Sequence, residues 1–286
     1  MIKFDYLEPS SLQEAFAGLA KYGEDARVIA GGTSLIIMMR QRLLMPKVLI
    51  SLANIPNFDR ITYDPKDGLR IGAGSRHRDI EVSPVVKQHY PILHETFRKV
   101  AQPRIRNMGT IGGNLSAGDP LTDPGASLIA LNAEVTLSSE KAQRTLAVEE
   151  FFIDYYETAL EPGEILTEIH VPPVQRTAWS HIKFTPRSVE DFATVGIALT
   201  LQTKSGACQD VCLALNSVAS RIVRAKKAEE VLRGQPLTDT LLRQAGEIAS
   251  TEVDPMDDNR GSAEYKREMV KVLVRRAVQQ ALQRVG

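Results

Sequence analysis

Two glycine pairs, far apart in the chain, are the sequence feature that most limits how it can fold. The first pair, Gly31-Gly32, lies between a short strand predicted over residues 27–30 and a helix predicted over 34–42. Glycines without Cβ atoms, the hydroxyls of Thr33 and Ser34 and the free N–H groups of a helix start together favour a diphosphate cradle. The same residues also fit an ordinary tight turn. No Gly-x-Gly-x-x-Gly and no Walker lysine is present here, so a dinucleotide site would need a fold other than the Rossmann or P-loop type.

The second pair, Gly112-Gly113, lies in a stretch of small and polar residues that precedes a helix predicted over 123–131. Such a stretch offers a ligand its backbone N–H groups and the Asn114 amide. Asp123 can accept hydrogen bonds from sugar-type hydroxyls, and charge repulsion places its carboxylate away from any diphosphate. Taken alone, the stretch fits an irregular surface loop better than a ligand site, with Asp123 as the N-cap of the following helix.

The order of predicted elements divides the chain at Pro172-Pro173. A compact β-α-β-like unit runs to about residue 57, and its first helix begins with a capping box of Ser10-Ser11 and Gln13-Glu14. A second unit, 58–173, has strands predicted at 68–72, 133–138 and 164–171. Beyond it, strands at 179–183, 193–202 and 207–215 precede helices at 224–233, 238–249 and 262–285. This order predicts an α+β fold with two N-terminal subdomains and a C-terminal α+β domain, 174–286, made of a three-stranded sheet with helices.

Composition excludes several classes of protein. Lys+Arg and Asp+Glu both number 35, so nothing favours nucleic acid as a partner. Cys208 and Cys212 form no disulfide framework; four apart in a predicted strand, they are expected to share one face as core thiols. The five histidines show no metal spacing, and Arg104 and Arg106 are expected in a solvated loop. The N-terminus lacks a signal-peptide layout and no apolar run could cross a bilayer, so we expect a cytoplasmic protein without a transmembrane segment.

Both glycine motifs, their order and their separation resemble one family. The segments 30–35, 110–114, Asp119-Pro120 and Asp123 are similar to the flavin subunits of molybdenum hydroxylases. These are the medium subunits of aerobic carbon monoxide dehydrogenases and the central flavin domain of xanthine dehydrogenases. The resemblance covers essentially the whole chain, because the segment 183–193 is also similar to theirs.

The resemblance implies an FAD-binding fold of the vanillyl-alcohol-oxidase (PCMH) type over residues 1–173, with a carbon monoxide dehydrogenase flavoprotein-type domain over 174–286. The first loop would hold the diphosphate and adenosine side of FAD, and the other positions would line the rest of the groove. Leu166 would reach the flavin through its backbone, Lys183 would lie near the ring and Phe192 against a ring face. The implied cofactor-binding residues are Val28, Ile29, Ala30, Gly31, Gly32, Thr33, Ser34, Leu35, Ala101, Thr110, Gly113, Asn114, Asp119, Asp123, Leu166, Lys183 and Phe192.

The resemblance also implies how the chain works with others. A large subunit would carry the molybdenum cofactor and a small subunit two [2Fe–2S] clusters, and the whole would form a dimer of heterotrimers. FAD would collect electrons from the clusters and pass them to NAD+, a quinone or another acceptor. Thr33 stands where some relatives carry histidine, so FAD is expected without a covalent link. The 4-hydroxybenzoyl-CoA reductases of this superfamily carry an extra iron–sulfur cluster on this subunit, which needs several cysteines. The two cysteines of this chain cannot supply it.

Two other functions are compatible with the sequence. A stand-alone FAD-dependent oxidase of the same fold would need a catalytic acid or base over the ring, and no residue is recognised for that role. A scaffold protein that had lost FAD would not require both glycine motifs. Flavin absorption and co-purifying subunits distinguish the three.

Overall fold

The computed structural model describes residues 3–284, which form three main sheets, a two-stranded ribbon and the helices between them. Two predictions involve residues outside this range. One is the absence of a signal-peptide layout, which includes Met1 and Ile2, and the other is the predicted end of the last helix at Val285. Over the described residues, no helix combines the length and the apolar character that a membrane span requires.

The first sheet is parallel, with strand order β1-β3-β2. Its strands are β1 (Asp5–Leu7), β2 (Ala26–Ile29) and β3 (Val48–Ser51), and its helices are α1 (Leu12–Tyr22) and α2 (Leu35–Arg40). The central strand β3 is buried throughout, which is why it appears in the sequence as an unbroken apolar run. Helix α1 begins at the predicted position with half of the predicted capping box. Ser11 accepts the Glu14 N–H, but the Glu14 carboxylate accepts the N–H of Ser10, one residue before the N-cap, at 2.7 Å.

The second sheet is antiparallel and five-stranded, in the order β4-β5-β10-β6-β7. Its strands are β4 (Ile61–Asp64), β5 (Gly68–Gly72), β6 (Glu134–Ser138), β7 (Gln143–Ala147) and β10 (Ile165–Val171). Between β5 and β6 lie α3 (His77–Val82), α4 (Pro84–His89), α5 (Pro91–Lys99), α6 (Pro103–Arg106), α7 (Ile111–Ser116) and α8 (Asp123–Ala130). Helix α9 (Val148–Phe151) and the ribbon of β8 (Phe152–Asp154) and β9 (Glu157–Thr158) precede β10. The many short helices between β5 and β6 carry the second glycine motif.

The third sheet has four strands, where three were predicted. It comprises β11 (Ala178–Phe184), β12 (Val195–Lys204), β13 (Ala207–Asn216) and β14 (Val223–Arg224), followed by α10 (Lys226–Leu232), α11 (Asp239–Thr251) and α12 (Ala263–Gln283). The predicted helix start at Arg224 was wrong, because Val223 and Arg224 pair with Leu215 and Ala214 of β13. A two-residue strand is too short to give a periodic signal.

The two cysteines of β13 do not share a face, contrary to the prediction. The β12–β13 register shifts between Gln202 and Thr203, so β13 carries an extra residue between Cys208 and Asp210. Cys208 therefore packs in the core between the third sheet and its helices, whereas the Cys212 thiol faces α8 and contacts the carbonyl oxygen of Ile129 at 3.4 Å. Both remain buried free thiols, as expected.

Helix α8 joins the second and third sheets. All eight of its residues are buried, because the sheet of β12 and β13 covers the side that the N-terminal core leaves open. Its last carbonyl groups find donors across this junction: Thr200 and Arg176 both donate to the Ala130 oxygen, at 2.6 and 3.2 Å. These bonds hold the third sheet against the C-terminal end of α8, whose first residue, Asp123, lines the candidate site.

Candidate functional site

One cleft of about 800 Å³ runs between the first loop, helix α7 and the third sheet. Every residue that the sequence predicted to contact a cofactor lines this cleft. They come from the loop after β2, the turn after α5, the segment from α7 to α8, strand β10, and β11 with the loop after it. In that order they are residues 28–35, Ala101, Thr110, Gly113, Asn114, Asp119, Asp123, Leu166, Lys183 and Phe192.

The loop after β2 presents backbone N–H groups to the cleft. Gly32, with φ of +68°, turns the chain from β2 towards α2, a conformation that costs glycine little. The Ile36 N–H makes the first hydrogen bond of the new helix, to the Gly32 carbonyl at 3.1 Å. The N–H groups before Ile36 therefore have no intrahelical partner. This loop has the donors that an anionic group such as a diphosphate requires.

The other glycine of this loop, Gly31, has a different task from the one predicted. A Cβ atom there would overlap the carbonyl oxygen of Met108 and crowd the Cα of Gly109. The missing side chain therefore serves the packing of the first loop against the segment leading to α7. Gly31 thus brings the two glycine motifs together, and it also lines the cleft.

The second motif is a helix start, and it offers fewer N–H groups than predicted. The N–H groups of Ile111 and Gly112 donate to the carbonyls of Ser75 and Ala73, both at 2.9 Å, and that of Gly113 donates to the Thr110 hydroxyl at 3.1 Å. Since these donors are already bonded, the polar group that α7 can offer to a ligand is the Asn114 side chain. Its Oδ1 atom is buried without a partner.

Asp123 and Lys183 form a buried ion pair in the cleft. The Lys183 Nζ lies 2.9 Å from Asp123 Oδ2, and the two side chains are only 2% and 5% exposed. The interpretation of Asp123 as a carboxylate free for hydroxyl groups needs correction, since one of its oxygens is taken by Lys183. The other, Oδ1, is buried and has no partner. Burial raises the pKa of Asp123, while the positive charge of Lys183 acts in the opposite direction.

The unpartnered atoms test whether FAD suits the site. Buried acceptors without donors each cost about 1–3 kcal/mol, so Asp123 Oδ1 and Asn114 Oδ1 favour a ligand that brings hydrogen-bond donors. A ribityl chain carries hydroxyl groups, and a diphosphate can accept from the N–H groups of the first loop. The residues present therefore fit FAD.

The remaining predicted residues lie at the floor and the mouth of the cleft. Leu166 is buried at a bulge in β10, and Ala101 forms the turn after α5 with φ of +42°. Asp119 is tied to the chain by accepting the Leu121 N–H at 2.9 Å, and burial raises its pKa. Phe192 is 42% exposed at the mouth, with the Arg260 guanidinium 5.5 Å from its ring centre.

The cleft is also lined by residues that the sequence did not indicate, among them His77 and Tyr156. Arg106, expected in a solvated loop, does not line the cleft, but its side chain is only 11% exposed. Tyr156 reaches the cleft because its N–H donates to the carbonyl of the distant Gly118 at 2.9 Å, a pairing that no local sequence signal marks. For His77 no local signal exists, because its place is set by a hydrogen bond to the distant Gly109 carbonyl.

Within residues 3–284, no three His, Cys, Asp or Glu side chains are grouped so as to hold a metal ion. His77 and His181 are buried, and burial favours their neutral form. Burial lowers the pKa of His77 to about 4, with a smaller contribution from the charge of Arg106, and lowers the pKa of His181 well below its usual value.

Comparison with known proteins gives two family matches. Residues 2–174 match the FAD binding domain in molybdopterin dehydrogenase, and residues 180–281 match the CO dehydrogenase flavoprotein C-terminal domain. Together they span nearly the whole chain.

Individual relatives agree over their full length. The carbon monoxide dehydrogenase medium chain of Afipia carboxidovorans is 38% identical over 97% of this chain and 96% of its own. The nicotine 6-hydroxylase medium subunit of Paenarthrobacter nicotinovorans is 34% identical over 96% of each chain. A chain in the structure of a carbon monoxide dehydrogenase from Hydrogenophaga pseudoflava superposes with a TM-score of 0.96, at 36% identity and 99% coverage of both chains.

Proposed function

Since the chain belongs to the FAD-binding medium subunits of the molybdenum hydroxylases, we propose that its cleft holds FAD non-covalently through all the residues predicted for that role. The family resemblance drawn from the glycine motifs is thereby confirmed. The main support for the proposed contacts is that both glycine motifs line the same cleft as Asp123 and Lys183.

The proposed arrangement follows from the chemistry of each wall. The free N–H groups before Ile36 would bind the diphosphate, the only strongly anionic part of FAD. Asn114 and the free oxygen of Asp123 would accept hydrogen bonds from hydroxyl groups. Lys183 would lie near the flavin ring, where a fixed positive charge favours an anionic reduced form. Thr33 offers no ring nitrogen for covalent attachment.

We propose further that this subunit moves electrons between partners. The bound flavin supplies the change from one-electron to two-electron transfer, and this chain supplies position, electrostatics and limited access. Electrons would come to this subunit from a large subunit with the molybdenum cofactor, through the [2Fe–2S] clusters of a small subunit. The three subunits would form a dimer of heterotrimers. The flavin would then pass the electrons to NAD+, a quinone or another acceptor. The assembly would be located in the cytoplasm. Relatives named as medium chains of such enzymes support this proposal.

Visible absorption of the purified chain tests the cofactor, and co-expression tests the assembly. The chain should carry or take up FAD, release it intact on denaturation, and co-purify with neighbouring subunits that contain iron–sulfur and molybdenum. Failure to bind added FAD would overturn the proposal in favour of a scaffold. Turnover of an organic substrate by the isolated flavoprotein would instead identify a stand-alone oxidase.

A further inference from the structure

Two buried cations hold three successive carbonyl groups at the end of α5. The Lys183 Nζ donates to the Lys99 oxygen at 2.7 Å. The Arg106 Nη1 donates to the Val100 oxygen at 3.0 Å and to the Ala101 oxygen at 2.7 Å. A helix end leaves its last carbonyls without internal partners, so this turn depends on donors from elsewhere.

The turn needs such support because its backbone is strained. Ala101 has φ of +42°, a left-handed conformation that an L-residue with a Cβ atom adopts only at a cost of about 1–2 kcal/mol. Val100 and Ala101 both line the cleft, so the strained turn forms part of its wall. The bonds from the guanidinium to the Val100 and Ala101 carbonyls stabilise the turn in this conformation.

Arg106 is itself held in place. Its Nε lies 2.9 Å from a carboxylate oxygen of Glu81, and the two side chains are only 11% and 10% exposed. The second oxygen of Glu81 pairs with Arg78 at 2.8 Å. A planar guanidinium can serve a carboxylate on one edge and backbone carbonyls on another, which a lysine cannot match.

We propose that Arg106 is a positioning residue of the flavin site, acting through the turn of residues 99–101. This inference rests on the proposed binding of FAD in the cleft. Arg106 fixes the position of Ala101 in the wall of the cleft. It also stabilises the turn in which the Lys99 carbonyl accepts a hydrogen bond from Lys183. Releasing the turn would therefore alter both a contact surface and the position of the cation beside the flavin.

The test compares Arg106→Gln and Arg106→Lys with Arg104→Gln, a change at an exposed arginine of the same short helix. FAD affinity is measured by titrating each apo-protein, and the absorption spectrum of the bound flavin is recorded. We expect Arg106→Gln to bind FAD about tenfold or more weakly, since buried acceptors lose a charged donor. Its bound flavin should show a shifted spectrum, Arg106→Lys should lie between, and Arg104→Gln should match the unchanged protein.

Ala101→Gly in the Arg106→Gln background separates positioning from general stability. Glycine adopts the left-handed conformation without strain, so this second change should recover part of the lost FAD affinity. Thermal unfolding of the apo-proteins is followed in parallel, and Arg106→Lys decides the matter should Arg106→Gln not fold.

Three outcomes would overturn the inference while leaving the proposed function intact. These are unchanged affinity and spectrum in both Arg106 variants, a loss of thermal stability alone, or no recovery from Ala101→Gly. If the unchanged protein fails to bind FAD at all, the proposed function falls instead, so the two failures are distinguishable.

Discussion

Adjacent glycines in α7 face different surroundings, which gives the sharpest prediction at the scale of single residues. A Cβ on Gly112 would lie 2.6 Å from the Cβ of Ala73, whereas a Cβ on Gly113 would meet only the Thr110 hydroxyl, at 3.0 Å, and otherwise extend into the cleft. Gly112→Ala should therefore lower the free energy of unfolding by about 2 kcal/mol through overpacking. Gly113→Ala should keep the fold but weaken FAD binding about tenfold.

Urea unfolding and FAD titration of the two alanine variants check this prediction, with each variant acting as the control for the other. Loss of stability in Gly113→Ala with unchanged FAD affinity would show that the open space beside this glycine is not used by the cofactor.

Buried neutral histidines predict how stability depends on pH. The pKa of His77 is lowered from 6.5 to about 4 in the folded chain, so the unfolded chain binds the proton more readily. Full stability is present above pH 6.5 and is lost as the pH falls towards 4. Between pH 7.5 and 5, His77 alone should account for a loss of about 2 kcal/mol.

The free energy of unfolding of the unchanged protein and of His77→Gln, measured in urea at both pH values, checks this. The variant should lose less stability on acidification, although it starts lower. An equal loss in both proteins would mean that His77 is not a buried neutral group.

Individual residues of the cleft could be predicted from the sequence, but the ion pair inside the cleft could not. Glycine and hydroxyl residues follow local rules of turns and helix starts, so Gly31 to Ser34 and Gly113 could be predicted to line a site, whereas the neighbouring positions 28–30 and 35 came from the family resemblance. The ion pair of Asp123 with Lys183 could not, because it depends on how the third sheet docks on α8.

At the scale of elements, Glu229 of α10 holds the outer part of the third sheet together. Its side chain is 1% exposed, pairs with Arg224 at 2.8 Å and Arg233 at 2.7 Å, and accepts the Leu213 N–H of β13 at 2.9 Å. Glu229→Ala should lower the free energy of unfolding by about 3 kcal/mol, because it leaves buried donors and charges without a partner.

The neighbouring exposed Glu230 provides the matched control. Glu230→Ala should change the free energy of unfolding by less than about 0.5 kcal/mol in the same denaturant experiment. If the two alanine variants had the same free energy of unfolding, water would satisfy the partners of Glu229 as well as its carboxylate does, and the prediction would be wrong.

Element boundaries were predictable where a pattern is long and one-sided. The N-cap of α1 and the alternating strand β10 were predicted correctly, whereas β1, β4 and β7 were missed because short or outer strands mix polar and apolar residues. The bulge in β13 follows from pairing with β12, so its reversal of the Cys208 face could not be seen in one strand alone.

At the scale of the whole molecule, the cleft is built from both the N-terminal sheets and the third sheet, joined over α8. FAD bound there should stabilise both parts together, by about 2.7 kcal/mol at one hundred times its dissociation constant. Trp179, the only tryptophan, lies in β11 and packs against the N-terminal core, so it reports on the docking of the third sheet, while the flavin reports on the cleft.

Thermal unfolding followed by tryptophan and flavin fluorescence should give one transition that rises with FAD concentration in both signals. Two separate transitions, with only one of them responsive to FAD, would show that the third sheet does not help to hold the cofactor.

The contact of Gly31 with Met108 has a consequence for genetics. The atom that a side chain at position 31 would strike is a main-chain oxygen, which every amino acid at position 108 retains. No exchange of Met108 for another residue can therefore relieve Gly31→Ala. A selection for suppressors of Gly31→Ala should yield insertions, deletions or backbone-shifting changes between residues 102 and 109, and reversion to glycine, but no simple replacement of Met108.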